Sequence, residues 1–124
     1  MVQNDDGKVL LGKGHDGRWN VTAGKCEPHE AHLKAAIREM YEESGLRPKS
    51  MEYHGLLPNP MGGVDLHCYT AVANGTPHGN FDPDAEFIDY TWVDPNGGEI
   101  EQYLPVMRFP PDVLLHVGVM KAGR

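Results

Sequence analysis

From Glu30 to Ser44 the chain contains neither glycine nor proline, and Gly45 stands where a helix that ends in a left-handed residue would place it. This bounded segment predicts a helix, and the rest of the chain has to be arranged around it. At 100° per residue, with Leu33 taken as zero, Ile37 falls near about +40°, Met40 near about −20°, Ala36 near about −60° and Ser44 near about +20°. That arc is the expected core-facing stripe. Glu43 falls near about −80°, Glu39 near about −120° and Glu42 near about 180°, so these three carboxylates fan out beside the stripe.

Strand signals lie on both sides of the helix. Asn4-Asp5-Asp6-Gly7 reads as a turn that leads into the apolar run Val9-Leu10-Leu11. Its partner has only Met1 to Gln3, so the first strand is expected to be truncated. Trp19-Asn20-Val21-Thr22 alternates apolar and polar residues, and strands are expected over Met51 to Leu57, Val64 to Ala73 and Glu86 to Val93. Pro110-Pro111-Asp112 could open a last helix carrying Val113, Leu114, Val117 and Met120 at helical spacing. The pattern predicts an α/β fold with a mixed sheet packed between helices. At 124 residues, one domain over residues 1–124 is expected.

Charge and composition narrow the function. Hydrophobic residues make up 40% of the chain and charged residues 23%, which suits a folded globule rather than a disordered tail. The net charge of −7 disfavours a nucleic-acid polymer as partner, because a phosphate backbone calls for a basic face. A polyphosphate remains accessible to an acidic chain if divalent metal ions supply the positive charge. Cys26 and Cys68 are too few for a disulfide framework, and no apolar run approaches the roughly 18 residues of a membrane span. A cytoplasmic protein with no membrane partner is the resulting expectation.

The carboxylates of the predicted helix need a reason to be together. Like charges at i,i+4 cost a few tenths of a kcal/mol on an exposed helix, which a solvated face tolerates. Glu42 and Glu43 also stand near the helix C-terminus, where the macrodipole disfavours negative charge. A hard divalent cation would relieve both penalties, since it seeks several oxygen ligands. A solvated face and a metal site both stay open on these grounds alone.

The spacing of the stretch decides further. It reads Gly24, five residues, Glu30, seven residues, Arg38-Glu39, the apolar Met40, one residue, Glu42-Glu43, one residue, Gly45, then Leu46. This pattern resembles the signature of the Nudix hydrolases at every fixed position. Weaker likenesses lie outside it, in Val9 to Leu11, in Trp19, and in Glu86 ahead of Trp92-Val93. Thr22-Ala23-Gly24 departs from the Pro-Gly-Gly that many members carry. The resemblance implies an α/β/α sandwich with a mixed sheet. It also implies hydrolysis of a nucleoside diphosphate linked to another moiety, by attack of water at phosphorus. Mg²⁺ or Mn²⁺ would be held by Glu39, Glu42 and Glu43 with the Ala23 carbonyl, and Glu39, Glu43 or Glu86 would be the base. Arg38 would fix a neighbouring glutamate, Glu30 would tie the preceding loop to the helix, and Gly24 and Gly45 would permit the bracketing turns.

Substrate choice is less defined. A compact chain resembles the nucleoside triphosphate pyrophosphohydrolases, with ADP-ribose or dinucleotide pyrophosphatase as the alternative suggested by Pro58-Asn59-Pro60. A non-catalytic nucleotide-binding module is the alternative of another class. Tyr53, Tyr69, Phe81 and Phe87 are candidates for stacking on a base, although strand aromatics are more often core. Cys26, His29 and His32 have a spacing suggestive of zinc but no clear fourth ligand. The short first strand leaves room for a strand from a second copy, so a homodimer is an open expectation.

Overall fold

A computed structural model describes residues 1–22, 29–58, 62–107 and 118. Among these, six strands surround one α-helix: β1 (Val2–Gln3), β2 (Val9–Gly14), β3 (Trp19–Asn20), α1 (His32–Ser44), β4 (Ser50–Leu57), β5 (Leu66–Val72) and β6 (Phe87–Val93). Two 3₁₀ turns follow, at Gly98–Gln102 and Leu104–Val106. The segment at Pro110 to Met120 expected to be helical lies outside the described residues apart from Gly118.

The strands form one mixed sheet. β2 is its centre: β6 pairs antiparallel along its whole length, from Val9↔Val93 to Gly14↔Phe87. β1 and β3 pair with the two ends of β2 on its other side, at Gln3↔Val9 and at Gly12↔Asn20. β1 then pairs parallel with β5 through Val2↔Ala71 and Gln3↔Val72, and β4 completes the order by pairing antiparallel with β5. The first strand is therefore short but present, and it joins the two parts of the sheet.

Alternation along β2 assigns the layers, because successive side chains point to opposite faces. Leu10 packs with Val2, Met40, Leu46, Ala71 and Ala73, which places α1 on that face. Val9 and Leu11 point the other way, into Val21, Cys68, Val93 and Ile100. Tyr103, Leu104 and Met107 cover this second face, and Tyr103 meets Trp19 edge to face at 5.2 Å. Layers on both sides of a mixed sheet give the α/β arrangement expected from the sequence.

α1 begins two residues later than the glycine- and proline-free run and ends at its expected stop. Gly45 has φ 71, and its N–H donates to the Tyr41 carbonyl at 2.7 Å, closing the helix in a left-handed cap. A Cβ here would stand 2.4 Å from the His78 ring, so glycine is required by space as well as by conformation.

The buried face of α1 differs from the predicted stripe. Ala35, Met40, Glu43 and Ser44 are buried, whereas Leu33 is 43% exposed. The apolar wheel was centred on Leu33, but the C-terminal half of the helix turns toward the segment running from His78 into β6. That rotation carries Glu43 from the edge of the stripe into the interior.

Candidate active site on the acidic helix

Arg38 organises the carboxylates of α1. Its Nε and Nη2 donate to the two oxygens of Glu30 at 2.9 and 3.0 Å, a fork-to-fork pair that joins the residue just before the helix to its middle. Its Nη1 donates to Glu39 Oε1 at 2.8 Å and to Glu42 Oε2 at 3.2 Å. One guanidinium thus holds three carboxylates, and its bonds to Glu30 first and Glu39 second keep it protonated well above its ordinary range against the opposing effect of burial.

Glu39 shows the cost of this crowding. Burial pushes its carboxyl above the usual range, and the charges of Glu42 and Glu86 push in the same direction against the Arg38 bond. Glu86 lies far along the chain, immediately before β6, yet its charge is among the causes of the Glu39 shift. The fold brings the residues on either side of Glu86 to the C-terminal end of α1, where His78 N–H meets the Ser44 carbonyl and the Tyr90 hydroxyl meets the Glu43 carbonyl. Spacing alone would not reveal this.

Glu43 is only 2% exposed, the most enclosed of these carboxylates. A buried carboxylate is costly unless hydrogen-bonded, and no buried side-chain nitrogen or oxygen among the described residues lacks a partner. Its own backbone is also held: the Tyr90 hydroxyl donates to the Glu43 carbonyl, and His78 N–H donates to the Ser44 carbonyl at 2.8 Å. These bonds satisfy helix-terminal carbonyls that have no partner within the helix. Burial raises the Tyr90 phenol to about 12, with Asp82 and Glu43 adding to the shift.

The donor set suits a hard divalent cation in kind. Arg38 engages one oxygen of Glu39 and one of Glu42, leaving the second oxygen of each outside that contact. Like-charge crowding at Glu39 is the electrostatic condition that a cation relieves. Among the described residues no three His, Cys, Asp or Glu side chains stand close enough together to hold a metal ion. Arg38 draws two of the carboxylates toward itself instead. Ala23 and Gly24 lie outside the described residues.

Other expected participants are engaged locally. Phe81 stacks on Tyr41 at 4.7 Å, and Arg47 covers Tyr41 at 4.1 Å. The Phe87 ring occupies the space a Cβ on Gly12 would need. Tyr53 hydrogen-bonds with His67 Nδ1 at 2.8 Å, and Tyr69 hydrogen-bonds with His32 Nδ1. The His32 and His67 rings stack at 4.0 Å with an interplanar angle of 4°. Of the cysteine–histidine cluster, Cys26 lies outside the described residues and His32 belongs to this stack.

Sequence reasoning missed the Tyr90 bond to the Glu43 carbonyl, the contact of His15 with the Ala85 carbonyl, and the Asp82 carboxylate as acceptor from the N–H groups of Asp84 and Glu86. An Asp-Pro-Asp segment signals an Asx turn, so Asp82 was open to discovery. Tyr90 and His15 act across long chain separations and leave no local signal.

Comparison with known proteins agrees with this architecture. A family model described as the NUDIX domain matches residues 1–108. The putative 8-oxo-dGTP diphosphatase YtkD of Bacillus subtilis is 45% identical over 49 residues, covering 40% of this chain and 31% of that protein. The CTP pyrophosphohydrolase of Escherichia coli is 32% identical over 69 residues, covering 52% of this chain and 51% of that protein. The matches therefore span about a third and about half the length of these curated relatives. A solved structure from a study of MutT from Aliivibrio salmonicida and Vibrio cholerae superposes with a TM-score of 0.69 at 19% identity, covering 93% of this chain and 87% of that one. Among the described residues no helix is long and apolar enough to cross a membrane.

Proposed function

The chain belongs to the NUDIX domain family, and from that premise we propose that it hydrolyses nucleoside triphosphates to a monophosphate and pyrophosphate with the aid of a divalent cation. The observation that carries this reading is the carboxylate array on α1, with Glu39 under the charge of both Glu42 and Glu86. The two curated relatives are named for acting on 8-oxo-dGTP and CTP, which favours a triphosphate over other nucleotide derivatives.

Glu39, Glu42 and Glu43, with the carbonyl of Ala23, are the groups proposed to hold Mg²⁺ or Mn²⁺. When bound, such an ion neutralises phosphoryl oxygens and lowers the pKa of coordinated water. Arg38 positions Glu39 and Glu42 by its charge-assisted bonds and keeps two like charges on adjacent turns. Glu39, Glu43 or Glu86 takes the proton from the attacking water as one phosphoric anhydride bond breaks and pyrophosphate departs. Of the three, Glu86 is exposed and Glu43 is enclosed, so Glu86 is better placed to exchange a proton with solvent between turnovers. Glu30, Gly24 and Gly45 serve the framework. One domain over residues 1–124 and a cytoplasmic setting belong to the same proposal.

The test is a panel of nucleoside triphosphates, ADP-ribose, dinucleoside polyphosphates and nucleotide sugars, with and without Mg²⁺ or Mn²⁺. Metal-dependent release of pyrophosphate from a triphosphate, abolished by Glu43→Gln, is expected. Turnover confined to ADP-ribose or a dinucleotide would replace the substrate assignment. Binding without turnover of any compound would replace the enzyme with a nucleotide-binding module.

A further inference from the structure

Glu86 is exposed and lies between His78 and Tyr90, which bond to the Ser44 and Glu43 carbonyls at the end of α1, so a free loop would let it swing away. The chain around it is not free. Ala85, immediately before it, has φ 46, a left-handed conformation unfavourable for a residue with a Cβ. Such a conformation persists only where its surroundings enforce it.

Two side chains do so. His15, in the turn after β2, donates from Nε2–H to the Ala85 carbonyl at 2.7 Å, which assigns the proton to that nitrogen. The Asp82 carboxylate accepts from the backbone N–H of Asp84 at 2.8 Å and from that of Glu86 at 2.9 Å. The Ala85 N–H closes the turn on the Asp82 carbonyl at 3.2 Å. At its start the same segment is pinned to the end of α1, where His78 N–H meets the Ser44 carbonyl. The segment therefore bridges the helix that bears Glu39 and the turn after β2, with Glu86 at its far end.

We propose that His15 and Asp82 are positioning residues that fix Glu86, through the left-handed Ala85, in the segment held to the C-terminal end of α1 by His78 and Tyr90. The proposal rests on the reading of Glu86 as a working group in hydrolysis. His15 touches no reacting atom; it fixes a carbonyl whose displacement would let the following peptide relax.

Two measurements on the full chain test it: steady-state hydrolysis of CTP and dGTP with Mg²⁺, and amide hydrogen exchange at Asp84 and Glu86 without nucleotide. His15→Ala and Asp82→Ala are each expected to lower kcat by about tenfold to a hundredfold, with KM within about twofold of the parent, since misplacement costs rate rather than binding. His15→Gln, whose amide can donate to the same carbonyl, is expected to return kcat to within about threefold of the parent. Asp82→Ala is expected to speed exchange at Asp84 and Glu86, with Asp82→Asn intermediate because it keeps one acceptor oxygen. Unchanged kcat and unchanged exchange in both alanine variants would overturn the proposal. So would a loss in His15→Ala that His15→Gln fails to recover. If the parent turned over neither nucleotide, the functional reading would fall, and exchange at Glu86 would still decide whether Asp82 holds that residue.

Discussion

The two ends of α1 carry polar clusters built on opposite principles. At its N-terminal end, His32 stacks on His67, and Tyr69 and Tyr53 each meet one imidazole Nδ1. Every member of that group finds its partner within the group. Farther along, Glu42 and Glu86 both oppose the charge of Glu39, and one guanidinium is shared among Glu30, Glu39 and Glu42. The first cluster is complete as it stands, whereas the second carries an electrostatic deficit that a cation or a polyphosphate–cation complex can fill. The two clusters differ in unmet electrostatic demand rather than in the number of titratable groups.

The largest expected effect breaks the comparison at its charged end. Glu39→Gln should lower nucleotide hydrolysis by about 10²-fold to 10⁴-fold, measured as pyrophosphate release, if Glu39 acts in proton transfer. Next, Arg38→Ala should destabilise the metal-free protein by about 2 kcal/mol, read by denaturant unfolding, because charge-assisted bonds to three carboxylates are lost. Added Mg²⁺ should recover more stability in that variant than in the parent. A recovery no larger than the parent's would show that Arg38 and the ion do not answer the same charge.

A smaller effect has the opposite sign. Glu39 has its pKa raised in the folded state, so the fold disfavours its ionised form. The penalty is absent at about pH 3 and below, where Glu39 is protonated folded and unfolded alike, and it grows as pH rises from the ordinary glutamate value through the raised one. Glu39→Gln should therefore stabilise the metal-free protein at neutral pH by under about 1 kcal/mol, a gain that vanishes on acidification in thermal unfolding. Smallest of all, His67→Ala should change hydrolysis by less than about twofold and stability by about 1 kcal/mol or less, since it removes one self-contained stack. A large loss of rate would show that the aromatic end serves the reaction too.

Much of the fold was legible because it depends on local signals. Gly45 announced the helix stop, an apolar run after the Asn4–Gly7 turn marked β2, and turn residues separated β4 from β5. The buried face of α1 was misread for a physical reason. An apolar wheel assumes that carboxylates face water, and Glu43 is drawn inward by the end of the helix packing against Tyr90 and His78. Glu39, Glu42 and Arg38 could be grouped from spacing within one helix. Glu86 came only through likeness to a family, and His15 through neither route, because their positions depend on how β2 and β6 pair. The aromatics considered for base stacking turned out to have ring partners of their own, as Tyr41 with Phe81 shows.

The two-residue strand β1 has a mechanical meaning. Among the described residues, backbone pairing joins the β3-β2-β6 part of the sheet to the β4-β5 part only through β1, with Ala71 N–H donating to the Met1 carbonyl at 2.8 Å and Ala73 N–H to the Gln3 carbonyl at 2.9 Å. This is a seam, and α1 lies across it as a splint, since Met40 and Leu46 pack against Leu10 on one side and Ala71 and Ala73 on the other. Parting of the sheet along this line would break two register pairs, against six between β2 and β6 and six between β4 and β5. Any such parting would tilt the splint, and with it the row of carboxylates that the splint carries.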